Sequence, residues 1–218
     1  MRMGQITQWL IEKIFRWLPE SEDELWKWSY TGNVMHEAWT RPEFANQIEK
    51  ATEGVYLVPI LSPKYCDWLI EQAEELDEWT VSKKDEFAGW EINLNKLHHG
   101  FVDNYHREIV ILQNLAARVF GGLYGWPPEK VEKCFLIKYQ STTIAEMHSH
   151  HDEHSLVSVS INLNEEFEGG ELTFIRTPDD VVNPRKGWGA VFAGNPTMAH
   201  QAHPITSGTR YVLVYWIK

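Results

Sequence analysis

Four of the chain's ten histidines crowd into one short stretch, His148, His150, His151 and His154, with Asp152 among them. The segment reads MHSHHDEHSLVSVS. On an extended strand side chains alternate faces, so His150 and Asp152 point one way and His151 the other. Two ligands spaced i and i+2 can grip one ion without bending the backbone. A third ligand has to come from elsewhere, and His200 and His203 in MAHQAHP are the obvious donors. Two histidines and one carboxylate suit non-haem Fe(II), with positions left open for O2 and a co-substrate. His148 also alternates correctly with His150, so a three-histidine cupin-like set of His148, His150 and His200 competes. A closed structural zinc site prefers cysteines or four protein ligands, and neither cysteine is near. A surface histidine run that binds nothing specific is the remaining alternative.

Ten residues after His200, Arg210 opens the apolar strand TRYVLVYWI, sharing a face with Val212, Val214 and Trp216. An arginine at the mouth of an apolar interior needs an anion. Its planar fork suits a carboxylate, and the competing reading pairs it with an internal Asp or Glu.

The elements that must position these groups are legible in part. Residues 133–140, 155–164, 171–176, 189–193 and 209–217 are short β-rich segments separated by turn residues such as Gly169-Gly170 and Asn183-Pro184. That pattern predicts a mainly β fold with N-terminal helices, a sandwich or barrel. VYLVPIL at 55–61 reads as a strand, and Ser62-Pro63 as the cap and first position of a helix to about 78. A second helix is predicted over about 105–120, ending at Gly121-Gly122. Residues 1–50 read as a helical extension. Trp9, Leu10, Ile14, Trp17 and Leu18 give an amphipathic helix at about 5–18, stopped by Pro19. It reads as a strut packed on the main domain, its polar face too poor in Lys and Arg for a membrane helix.

With 218 residues and 43% hydrophobic content, the chain has material for one domain plus an appendage. Eleven tryptophans add large core side chains. A net charge of −11 disfavours a nucleic-acid partner. No apolar run reaches the length of a membrane span, so no membrane partner is expected. Cys66 and Cys134 form no CxxC and suggest buried thiols. Glu12, Lys13 and Arg16 interrupt any secretory apolar region. A cytoplasmic or otherwise reducing location is therefore the expectation.

These residues resemble the Fe(II)- and 2-oxoglutarate-dependent dioxygenases, and more narrowly the C-terminal catalytic domain of procollagen lysyl hydroxylases. The resemblance rests on His150-His151-Asp152, Ile161 to Asn164, Glu168-Gly169-Gly170, Pro184 to Trp188, His200 to Pro204, and Gly208 to Tyr211 in that order. It covers about 55–218. It implies a double-stranded β-helix, or jelly-roll, core flanked by supporting helices. It implies Fe(2+) held by His150, Asp152 and His200, the last preferred to His203 as the histidine four residues before Pro204 and ten before Arg210. It implies 2-oxoglutarate bound by Arg210 and by the Tyr139 hydroxyl, ascorbate as reductant, O2, a peptide or protein substrate hydroxylated on lysine, and a possible homodimer. Prolyl or other protein hydroxylation, and a catalytically silent metal-binding module, are the rival implications. Two positions depart from the family pattern: Ser160 stands where an Asn sits, and Met198 where a His sits. Glu165, Glu166 and Glu168 could steer a cationic substrate or form a solvated turn.

Overall fold

Alternation along three long strands sets the architecture. In a computed structural model that describes residues 35–40, 47–81, 89–94, 131–141 and 149–218, the strands β5 (Val131–Gln140), β6 (Val157–Asn162) and β12 (Ile205–Ile217) lie side by side. Leu136, Val159, Ile161, Leu213 and Tyr215 point to one side and join a large apolar core. Ile137, Tyr139, Ser158, Ser160, Arg210, Val212 and Val214 line a cavity on the other. One residue of slip would exchange the two faces, so the buried face fixes the register. That register runs unbroken from Thr209↔Gln140 to Trp216↔Lys133.

The helix α1 (Pro63–Leu76) covers the first face, burying Tyr65, Cys66, Leu69 and Ala73. Its start is the predicted one. Ser62 is the N-cap, its Oγ accepting from Tyr65 N at 3.1 Å, and Pro63 takes the first turn, where its missing N–H costs nothing. Asp77 ends it in the left-handed region at φ 47°. Both cysteines are buried thiols.

Among the described residues, the larger sheet has nine strands. β1 (Glu49–Thr52), β2 (Val55–Pro59) and β10 (Trp188–Ala193) precede β6, β12 and β5 in space. β4 (Trp90–Asn93) and β3 (Thr80–Val81) complete the far edge, and β7 (Phe167–Gly169) pairs with the start of β12. A smaller sheet, β11 (His200–Ala202), β8 (Leu172–Phe174) and β9 (Thr177–Val182), faces it. All named pairs are antiparallel. A second apolar cluster between the sheets contains Val55, Phe174, Phe192, Met198 and Ala202. This is the mainly β jelly-roll expected from the sequence.

Several expectations need adjustment. The segment 171–176 is not one strand: β8 ends at Phe174, and β9 follows as a separate strand to Val182. Short β1, β3, β4, β7 and β11 were not foreseen. The boundary at 50 falls inside β1, which pairs with β2, and Met35 bridges Leu61, so the described end of the extension is stitched to the main sheet. The helices predicted at about 5–18 and 105–120, and the Gly121-Gly122 stop, lie outside the described residues. Among those described, no helix is long and apolar enough to cross a membrane.

Candidate metal centre and anion pocket

The metal end is assembled from two short pieces of backbone. His150 and His200 form an isolated antiparallel bridge: His150 N–H donates to His200 O at 3.0 Å, and His200 N–H to His150 O at 2.7 Å. The expected HxD strand is therefore a single bridge rather than a strand. The chain turns at once after it, Glu153 N donating to His151 O and Ser155 N to Asp152 O at 2.8 Å. The turn replaces strict alternation, so His151, Glu153 and His154 line the same cavity as His150 and Asp152 instead of facing away.

Within this arrangement one donor atom each from His150, Asp152 and His200 lies within 4.8 Å of the others. Asp152 is 5% exposed and His200 6%. The His150 and His200 rings are 4.6 Å apart, and Phe192 and Phe174 pack edge-on and tilted against His200 at 4.7 and 5.6 Å.

His200 Nδ1 lies 3.2 Å from Met198 O. A carbonyl only accepts, so Nδ1 carries the proton and Nε2 keeps its lone pair. Burial pulls the His200 pKa down to about 4, opposed by the Asp152 carboxylate and reinforced by His150. At neutral pH the ring is thus uncharged, with a lone pair available to a metal. Two imidazoles and one carboxylate, clustered on one side of an open cavity, fit a facial Fe(II) site.

His203 stands outside this group. It is exposed, with Nε2 3.2 Å from Thr173 Oγ1. His148 lies outside the described residues, as does any three-histidine set that includes it. Met198 is buried in the apolar cluster between the sheets, against Gly54.

The anion end is built on a regular strand. Arg210 is 2% exposed on β12 and lines the same cavity, about 690 Å³ in volume, as His150, Asp152 and His200. Burial lowers its pKa to about 10, partly offset by Tyr139 and Glu171, so it stays cationic at neutral pH. Its fork is held by a neutral side chain: Nε and Nη2 both donate to Asn162 Oδ1, at 3.1 and 2.8 Å. No carboxylate of the described residues forms an ion pair with it. A buried cation without its own anion calls for one from outside.

Tyr139 sits directly across the ladder from Arg210, its ring 5.8 Å from the guanidinium carbon. Burial pushes the phenol up to about 12, with Arg210 opposing. The hydroxyl therefore stays protonated and has no hydrogen-bond partner among the described residues.

Sequence reasoning missed Asn162. The alternation Ser158-Val-Ser160-Ile-Asn162 carried the signal, a strand with polar residues on the face that turns out to line the cavity. It also missed Glu91 and Glu153, which place two carboxylates on the cavity lining with no motif to announce them. Glu165, Glu166 and Glu168 are exposed and do not line the cavity. Glu165 accepts from Lys186 N at 2.9 Å, as in an ordinary solvated turn.

Comparison with known proteins agrees with this geometry. Residues 134–218 match the family model described as the 2OG-Fe(II) oxygenase superfamily. The chain is 28% identical over 92% of its length to procollagen-lysine,2-oxoglutarate 5-dioxygenase 1 of Mus musculus, and 30% identical over 88% to procollagen-lysine,2-oxoglutarate 5-dioxygenase 2 of Homo sapiens. It spans only 28% and 27% of those proteins. In fold it is similar to a prolyl hydroxylase from Trichoplax adhaerens solved with a hypoxia inducible factor peptide (TM-score 0.60, 16% identity, 91% of this chain and 94% of that one). It is similar also to a Pseudomonas putida prolyl-4-hydroxylase (TM-score 0.58, 18% identity, 76% and 92%).

Proposed function

We propose that this chain, whose residues 134–218 are a 2OG-Fe(II) oxygenase superfamily domain, is a dioxygenase that hydroxylates lysine side chains in a peptide or protein. The observation that carries the proposal is the convergence of His150, Asp152 and His200 with a buried, carboxylate-free Arg210 on one cavity. His150, Asp152 and His200 would hold the iron. Bound Fe(II), with 2-oxoglutarate and O2, supplies the oxidising power for an unactivated C–H bond, and ascorbate would keep the metal reduced.

The remaining work belongs to the chain. The Arg210 fork binds the distal carboxylate of 2-oxoglutarate, and the protonated Tyr139 hydroxyl, opposite it, donates to the same group. Val212, Val214, Leu172 and Phe192 give the cavity apolar walls that limit water. The neutral His200, its Nδ1–H anchored on Met198 O, keeps its ring orientation through the reaction. Glu91 and Glu153 add negative charge to the cavity lining, which favours a cationic side chain. That acidity, with the lysine-directed relatives, favours lysine over proline. Two buried thiols support a reducing compartment.

The experiment is product analysis. Protein supplied with Fe(II), 2-oxoglutarate and ascorbate is offered matched peptides bearing Lys or Pro. The mass gain of one oxygen should appear on Lys. A gain confined to Pro would replace the substrate assignment, and none on either peptide would remove it.

A further inference from the structure

We infer that Asn162 is a positioning residue that aims Arg210 at a dicarboxylate and, by being neutral, leaves the guanidinium's charge for it; this rests on the reading of Arg210 as the 2-oxoglutarate anchor.

Asn162 is fully buried near the end of β6, beside Val212 in the ladder. Its amide is locked in one orientation. Nδ2 donates to Pro184 O at 2.6 Å and to Asn183 Oδ1 at 3.1 Å. A backbone carbonyl cannot donate, so the nitrogen must face Pro184 and the oxygen must face Arg210. That oxygen takes both Nε–H and one Nη2–H. One edge of the fork is thereby fixed, and the other edge, with Nη1, has no partner among the described residues. Arg210 is almost completely shielded yet lines the cavity, so this second edge is the one left to offer an anion there.

The chemistry of the partner matters as much as its place. A carboxylate at position 162 would satisfy the same two donors more strongly. It would also cancel the charge that has to attract the ligand. An amide orients without neutralising. The loop at Asn183-Pro184, between β9 and β10, thus acts on the anion pocket through Asn162 without reaching it.

The test separates orientation from simple packing. Protein loaded with Mn(II) under nitrogen is titrated calorimetrically with 2-oxoglutarate and with 2-oxopentanoate, which keeps the keto acid but lacks the distal carboxylate. Wild type should prefer 2-oxoglutarate by roughly a hundredfold, as expected when one partner of a buried charge pair is deleted. Asn162→Asp should erase that preference while binding 2-oxopentanoate as wild type does. Asn162→Ser, neutral but too short to reach the fork, should weaken 2-oxoglutarate about tenfold, the order of a lost charge-assisted hydrogen bond, and leave 2-oxopentanoate unchanged. A folded Asn162→Asp with the wild-type preference overturns the inference. So does equal weakening of both ligands, the mark of a packing role. Should Asn162→Asp fail to fold, an unaltered preference in Asn162→Ser overturns it alone. Wild type without any preference overturns the assignment of Arg210 itself, and this inference with it.

Discussion

The two ends of the cavity are built on different principles. The anion end centres on Arg210, 2% exposed on the thirteen-residue strand β12, whose register with β5 is unbroken from Thr209 to Trp216. The metal end joins a loop to a three-residue strand through one two-bond bridge, His150 with His200. The first is part of the core and inherits its rigidity. Among the described residues the second is held by that bridge and the turn after it, and a bound ion would add cross-links there. Charge divides the same way. Arg210 arrives as a cation that needs an anion, whereas burial delivers His200 neutral and ready to ligate.

This contrast can be broken at either end. The largest effect should come from Asp152→Ala. Removing the one carboxylate of the cluster should weaken Mn(II) or Fe(II) binding by at least about a hundredfold, read by calorimetry, while the melting temperature of the metal-free protein holds. Next, Arg210→Ala should raise the KM for 2-oxoglutarate by roughly a hundredfold with metal affinity unchanged, since the two ends act separately. An equal loss of metal binding would erase the distinction between them.

Gly170→Ala should couple stability to the anion end. Gly170 has φ +73°, and a Cβ there would lie 2.4 Å from Ile205 Cδ1 and 3.0 Å from Arg210 Cδ. A loss of about 1–3 kcal/mol in denaturant unfolding is expected, with a several-fold rise in the 2-oxoglutarate KM.

A smaller effect is pH-dependent. The pKa of His200 is near 4 in the fold against 6.5 unfolded, so between those values the unfolded chain takes the proton. The stability of the metal-free protein contributed by this group is complete above 6.5 and is lost as pH falls toward 4. Relative to His200→Gln, wild type should lose up to about 1.4 kcal/mol per pH unit in that window. Least of all, His203→Ala should stay within about 0.5 kcal/mol in stability and leave turnover unchanged, because the residue is exposed and its ring bonds Thr173 at the surface. A large loss of turnover would restore His203 as a rival ligand.

Much of this was legible in the residues, for identifiable reasons. Arg210, Val212, Val214 and Trp216 share a face because period two is a local property of any strand. Ser62-Pro63 marked the helix start because capping is local too. The choice of His200 over His203 needed the resemblance, since both lie in one short segment and only tertiary pairing of His200 with His150 separates them. Asn162 was hidden because its partners are 48 and 22 residues away. The short strands β3, β4 and β11 went unseen because two to four residues carry too little periodicity. The turn after His150 was hidden because no glycine or proline in the sequence announces its bonds, Glu153 N to His151 O and Ser155 N to Asp152 O.

The most direct measurement is succinate formation. Wild-type protein with Fe(II), 2-oxoglutarate and ascorbate should produce it, faster with a lysine-bearing peptide present, and the Asp152→Ala variant should produce none above background. Equal succinate from the two proteins would contradict the account.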